Sequence, residues 1–437
     1  MTFKGCVSIL VLVCVAALVA GCAQTTATTE EITIGVVASM TGPASTTGKD
    51  IWQSAVLAQD EINAKGGVYI KELGKSAKIR VVQGDDESTR EGGMKAVSKL
   101  ITQDNVDLLV GGFSSAVVSA HQQTVADARV PYIISGASST SVSRRTDIDT
   151  SYMFFHRPTT DDSAYVTTKF IASVVRPAVN AKFDYPESRP FRLAVIYQDS
   201  PYGKGQVQMA KDTIANENLS VQIVAEESFK MGETDFRTIL TSVKAKNPDA
   251  VYATDFLNEH IPLVQQARRD VGLNTIFLAI EPNDDPNFYT GVGTYGEYSV
   301  LESRFSPYAI PNGPTAAATA EFVKNFDAKW KGFPGMMGVA TYEAVYIAAE
   351  AIEKAGSTDK AKVRDALAAT DMPQMIETMQ NGTISFSPDF RESKFELFVE
   401  QLRWDDAAKE PRPKIVWPDT LKETDFVLPD WYAPGSG

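Results

Sequence analysis

A chain of 437 residues with 42 basic and 55 acidic side chains carries a formal net charge of −13. That balance repels nucleic acid and anionic lipid surfaces and argues against either as a partner. Only Cys6, Cys14 and Cys22 could form disulfides, and all three precede the first candidate strand, so a core large enough for two ordinary domains must hold the fold.

Lys4 precedes an apolar run from Val7 to Ala20 that is too short to span a bilayer comfortably, and Leu18-Val19-Ala20-Gly21-Cys22 closes the run with small residues and a thiol. This motif resembles the lipobox of prokaryotic lipoproteins. Residues 1–21 are expected to be a removed export signal, with Cys22 lipidated and residues 22–30 a flexible tether to the membrane. An uncleaved anchor or a plain secretory signal is the alternative, and either still places the folded part outside the cytoplasm.

From Glu31 the sequence alternates β-branched runs with helix-period segments, the pattern of an α/β protein with parallel sheets covered by helices. Strands are expected at Ile32–Met40, Lys78–Gln83, Val106–Val110, Val130–Ser135 and Tyr152–His156. Helices carry the Ile51, Ala55, Ala58, Ile62 face, the Met94, Val97, Ile101 face, and the segment Val118–Ala128. A helix from Asp162 to Val175 opens a second lobe, and the proline- and charge-rich stretch Arg176–Arg189 reads as a surface insertion. Strands at Arg192–Tyr197, Val221–Ala225, Ala250–Thr254 and Thr275–Ile280 follow. The chain is then expected to return to the first lobe through Ser299–Phe305 and helices Thr315–Trp330 and Gly338–Ala355, and to end in the second. The lobes would comprise residues 31–156 plus 297–370, and 157–296 plus 371–437. The proline-punctuated tail after Trp404 excludes a continuous helix or a central strand and should pack as extended structure on the second lobe.

Open α/β sheets bind ligands beyond the carboxyl ends of their strands. Three such loops are rich in glycine and hydroxyls: Met40–Gly48, Gly111–Ser115 and Ser135–Thr140. Bare amides and hydroxyls near helix N-termini suit an anionic head group, although turns and helix caps use the same residues. Glu281 follows the strand Thr275–Ile280 and could face the cleft as a partner for an ammonium.

Several segments are similar, in order and spacing, to the leucine/isoleucine/valine-binding protein family of type I periplasmic binding proteins. They include Ile32-Thr33-Ile34-Gly35-Val36, Thr41-Gly42-Pro43, Asp60-Glu61-Ile62-Asn63, Gly84-Asp85-Asp86, Asp199-Ser200-Pro201-Tyr202-Gly203, Asn247-Pro248-Asp249-Ala250 and Ala340-Thr341-Tyr342-Glu343. The resemblance implies two Rossmann-like lobes joined by a multi-strand hinge. It also implies a non-enzymatic, extracytoplasmic receptor that hands an amino acid or similar carboxylate to the permease subunits of an ABC importer. A ligand-sensing module for a signalling partner, or a binder of amides or aromatic acids, is the alternative. By position, Ser115 resembles the family's carboxylate-binding serine, with Phe113 and Ser114 in the same loop. Ala137 and Ser139, flanking Ser138, match the second carboxylate-binding turn, and Glu281 matches the ammonium anchor. Tyr202 lies in the family's Tyr-Gly turn, Phe256 stands where a tyrosine is common, and Thr47 where an aromatic covers the ligand.

Catalytic readings fare poorly. His121, His156 and His260 have no metal-ligand spacing, so neither a metal nor a cofactor is indicated. Gly291-Val292-Gly293-Thr294-Tyr295-Gly296 matches a dinucleotide pattern but lacks a preceding strand and reads as a turn. No Gly-x-Ser-x-Gly elbow surrounds Ser114 or Ser138.

Overall fold

The computed structural model describes residues 31–309 and 313–433. The expected signal, the lipidation site at Cys22 and the tether lie outside them. Among the described residues no helix is long and apolar enough to cross a membrane.

The first sheet has six strands in the order β2-β3-β1-β4-β5-β6: β1 (Glu31–Ala38), β2 (Val68–Ile70), β3 (Lys75–Asp85), β4 (Leu108–Gly111), β5 (Tyr132–Ile134) and β6 (Met153–Phe155). All neighbours are parallel except β2 and β3. The near-continuous apolar run of β1 follows from burial on both faces, the normal condition of a parallel strand between helix layers. The first helices are α1 (Ser45–Ala64), α2 (Arg90–Thr102), α3 (Ser115–Ala128) and the short α4 (Thr140–Ser143).

The second sheet has seven strands, ordered β15-β14-β11-β10-β9-β7-β8: β7 (Phe191–Gln198), β8 (Val221–Phe229), β9 (Ala250–Thr254), β10 (Ile276–Ala279), β11 (Val300–Ser303), β14 (Phe398–Asp405) and β15 (Glu410–Trp417). A small antiparallel pair, β12 (Asp371–Pro373) and β13 (Thr383–Ser385), lies apart. The helices of this half are α5 (Thr160–Phe170), α6 (Arg176–Phe183), α7 (Pro201–Asn216), α8 (Arg237–Lys244), α9 (Leu257–Gln266) and α10 (Pro286–Val292).

Two expectations need correction. The strand within Ser299–Phe305 pairs in parallel with β10, Leu278 opposite Val300, so it belongs to the second sheet and the return to the first lobe starts after it. An apolar strand has the same composition in either sheet, and only its partners assign it. The stretch Arg176–Arg189 is not all loop. A π-helical turn at Ile171–Val175 carries α5 on into α6, and the Arg176 amide bonds the Ile171 carbonyl; that wider turn accommodates Pro177, which supplies no amide hydrogen. The Gly291–Gly296 stretch is the end of α10 and a 3₁₀ turn, with no strand before it.

After β11 the chain crosses back to α11 (Ala316–Trp330), α12 (Met336–Ala355) and α13 (Lys360–Ala368). These return to the first lobe: Tyr342 and Tyr346 donate their hydroxyls to Glu61 on α1 at 2.5 and 2.9 Å, and Asn325 donates to the same carboxylate at 2.8 Å. A last crossing leads to β14 and β15. Pro411 and Pro413 are tolerated because β15 is an edge strand, where a missing amide breaks no central ladder. The chain thus passes between the lobes after β6, after β11 and before β14.

Candidate functional site

Turn chemistry brings the first-lobe loops to the junction. Gly111 and Gly112 take φ of 94° and 79°, and a Cβ on Gly112 would fall 2.1 Å from the Tyr132 hydroxyl. Only glycine permits this turn, which delivers Phe113, Ser114 and Ser115 to the start of α3. The Ser139 amide donates to Ser115 Oγ at 3.2 Å, tying the loop after β4 to the loop after β5.

Between the lobes lies a narrow gap lined by Phe113, Ser115, Gly136, Ser138, Arg157, Tyr202, Phe256 and Pro282, with no part of it wide enough for a water molecule. Phe113 from the first lobe meets Phe256 from the second with ring centroids 4.4 Å apart, and Tyr202 lies 5.3 Å from Phe256. Ser138 Oγ is buried in this wall without a hydrogen-bond partner. The lobes are also joined beside the gap, where Ser139 donates to the Pro201 carbonyl at 3.1 Å and Thr46 donates to Asn258 at 3.2 Å.

Of the ten ligand-binding residues expected from the sequence, Phe113, Ser115, Ser138, Tyr202 and Phe256 line the gap. Ser114 begins α3 as a buried N-cap, Ala137 packs in the first-lobe core, and the Ser139 hydroxyl accepts from the Ser141 amide as the cap of α4. Thr47 is buried in the first turn of α1 and does not line the gap.

Glu281 meets partners within the chain that the sequence does not reveal. It sits at the end of β10 beside the gap, but its carboxylate is held by two guanidiniums, Arg157 on one oxygen and Arg304 on the other. Its charge is therefore met within the chain by these two arginines. Arg304 also bonds Glu377 through Nε at 2.5 Å, and His156 Nε2 lies 2.8 Å from Glu343 and 3.2 Å from Glu377. All six side chains are buried. Burial alone would lower His156, but hydrogen bonds to the two glutamates raise it to about 9, so it is cationic at neutral pH. Burial pushes Arg157 and Arg304 down to about 9 and about 10, which leaves both charged. Burial would raise Glu377, yet Arg304 and His156 together hold it below the ordinary carboxylate range.

Arg157 and Arg304 were not anticipated, although Arg304 directly follows β11 and Arg157 lies two residues beyond β6. The same rule that selected the glycine and serine loops points to them. His156, Glu343 and Glu377 present donor atoms within 4.8 Å of one another, close enough for a cation. The protonated imidazole and Arg304 already supply that positive charge, so the donor set fits an ion-pair network better than a metal.

Two α/β lobes, crossed three times by the chain and closed on a small polar and aromatic gap, define a solute-binding protein with the type I periplasmic binding fold. The periplasmic binding protein family model matches residues 31–397, and the chain belongs to that family. Its members bind small molecules outside the cytoplasm, and those of ABC transporters deliver them to permeases. A Leu/Ile/Val-binding protein homolog 7 from Brucella abortus is 26% identical over 428 residues, 96% of this chain and 99% of the relative. The branched-chain amino acid transporter substrate binding protein LivJ from Streptococcus pneumoniae, solved with isoleucine, superposes with a TM-score of 0.72 at 23% identity, covering 89% of this chain and all of that one. A solute binding protein of an ABC transporter from Rhodopseudomonas palustris, solved with 3,4-dihydroxybenzoic acid, gives 0.72 at 20% identity and covers 91% and 98%.

Proposed function

We propose that the protein captures a small carboxylate between its lobes and presents the closed form to the permease of an ABC importer, tethered to the membrane through lipidated Cys22. The observation that carries the ligand class is Arg157, a buried guanidinium in the wall of the gap, beside the unpartnered Ser138 hydroxyl and the Ser115 side chain. A guanidinium and hydroxyls at the edge of a dry gap are suited to a carboxylate, because a charge-assisted hydrogen bond strengthens where water is excluded.

The body of the ligand is read from the rest of the wall. Phe113, Phe256 and Tyr202 offer ring faces from both lobes, and an inserted aromatic ring would replace the Phe113–Phe256 contact with two offset contacts. With Glu281 neutralised by two arginines, an aromatic acid needs no further charged partner. The second reading is an α-amino acid, supported by the name of the Brucella relative and by the isoleucine bound to LivJ. It requires Glu281 to give up an arginine to a ligand ammonium.

A thermal-shift series with benzoate, 3,4-dihydroxybenzoate, isoleucine and isobutylamine separates these readings, since a ligand of the folded state raises the melting point. The proposal expects benzoate or its hydroxylated form to raise it and isobutylamine, which lacks a carboxylate, to leave it unchanged. Stabilisation by isoleucine alone favours the second reading. Stabilisation by isobutylamine would overturn the assignment of a carboxylate.

A further inference from the structure

Beside the gap, a larger cavity of about 730 Å³ runs between the lobes, with Asp50 from the first lobe and Asp285 from the second in its wall. Asp50 lies on α1 and Asp285 caps α10, and they approach each other around Gly335, the residue that caps α12. A Cβ on Gly335 would lie 2.4 Å from Asp285 Oδ2 and 3.1 Å from Asp50 Oδ2, so only a bare backbone separates the two carboxyl groups. The Gly338 amide donates to Asp50 at 2.6 Å, and the Asn287 amide and side chain each donate to Asp285 at 2.7 Å. Asp50 is 7% exposed and Asp285 is 4% exposed.

The charged and titratable groups around this pair come from every element that borders it. Lys49 projects from α1, Lys331 follows α11, and Tyr308, Glu410 and Arg412 close the wall from the second lobe. Asp284 lies behind Asp285, hydrogen-bonded to the Tyr289 and Ser303 hydroxyls and to Glu400. Arg412 is committed to Glu410 at 2.5 Å and lies 3.7 Å over the Tyr308 ring, and Lys331 donates to the Ala328 carbonyl. Among the described residues no ion pair joins Asp50 or Asp285 to any cation. Two nearly buried carboxyl groups, one from each lobe, therefore face each other with no cation in direct contact among the described residues.

We infer that one carboxyl group of the Asp50–Asp285 pair is protonated when the lobes are closed, so that closing takes up a proton from solvent and alkaline conditions favour the open form. The proton binds a carboxyl oxygen of the pair on closing and returns to water on opening, when each group is solvated by itself. Burial and then the Asp285 charge raise Asp50 well above the ordinary carboxylate range, and burial raises Asp285. Like charges at close range cannot both ionise at ordinary cost. The sign follows: a carboxyl group whose closed-form value is raised favours the closed form most at low pH. That preference declines once pH passes the ordinary carboxylate value and levels off above the raised one.

Small-angle X-ray scattering of the full folded chain without added ligand, between about pH 5 and about pH 7, tests this directly. One proton taken up on closing lowers the closed-to-open ratio about tenfold per pH unit while the pair titrates, so the radius of gyration should rise with pH. Asp285→Asn keeps the N-cap of α10, because asparagine caps as well as aspartate, and should flatten that rise. Asp50→Asn should do the same and guards against a folding defect in one variant. A wild-type radius that does not change with pH, or an equal rise in wild type and both variants, would overturn the inference. These outcomes do not depend on which carboxylate the gap holds.

Discussion

Two sets of buried carboxylates at the lobe junction differ in how their charge is met. In the hinge network, Glu281, Glu343 and Glu377 are interleaved with Arg157, Arg304 and His156. At the cavity wall, Asp50 and Asp285 face each other with no cation between them. In the first set each carboxylate touches an opposite charge, which offsets much of the cost of burying it. The second can only relieve its cost by taking a proton or by moving apart. Compensation thus distinguishes a set that holds the crossings together from one that senses whether the lobes are closed.

The comparison is broken most severely by removing a cation from the first set. Arg304→Met leaves Glu281 without one guanidinium and Glu377 without its Nε partner, and should destabilise the protein by about 3 to 5 kcal/mol in urea unfolding. A loss below about 1 kcal/mol would mean that Arg304 is not what neutralises them.

His156 sharpens the contrast through pH. Its folded value of about 9 stands above the ordinary value of about 6.5, so its contribution is fully present below about pH 6.5 and is lost as pH rises through about 9. The span corresponds to roughly 3 kcal/mol. Unfolding curves taken across that window should show a decline that His156→Gln removes, and an unchanged slope in the variant would assign the titration to another group.

Arg157 belongs to the network and also lines the gap. Arg157→Met should weaken a bound carboxylate probe by about 2 kcal/mol in calorimetry, since hydrogen bonds to charged groups are worth about 1.5 to 3 kcal/mol. Equal affinity in the variant would move the carboxylate to the serine loops alone. The smallest effect is expected at the outer contact between lobes. Asn258→Ala removes side-chain bonds to Thr46 and the Pro43 carbonyl and should cost the closed form about 1 kcal/mol, read as a weaker ligand affinity with unchanged unfolding stability.

The strands and loops that build the gap were legible because parallel strands leave continuous apolar runs and their carboxyl ends mark the ligand side. Phe113, Ser115 and Ser138 were found this way. Arg157 and Arg304 satisfy the same rule at β6 and β11, but attention to small and hydroxyl residues passed over them. The partners of Glu281 were not legible, because Arg157 and Arg304 are brought to it by separate crossings of the chain, and no local spacing encodes that. The same is true of Ser299–Phe305, whose sheet is decided by its register with β10, and of Asp50 and Asp285, which meet only when the lobes do.

The central claim is that the gap presents a guanidinium to a carboxylate while Glu281 serves the chain's own arginines. Calorimetric titration of the wild type and Glu281→Gln with benzoate and with isoleucine tests it most directly. The account predicts that benzoate binds the variant at least as tightly as the wild type, because removing the carboxylate frees positive charge for the ligand. Binding of isoleucine alone, weakened by about 2 kcal/mol or more in Glu281→Gln, would contradict it and return Glu281 to the role of an ammonium anchor.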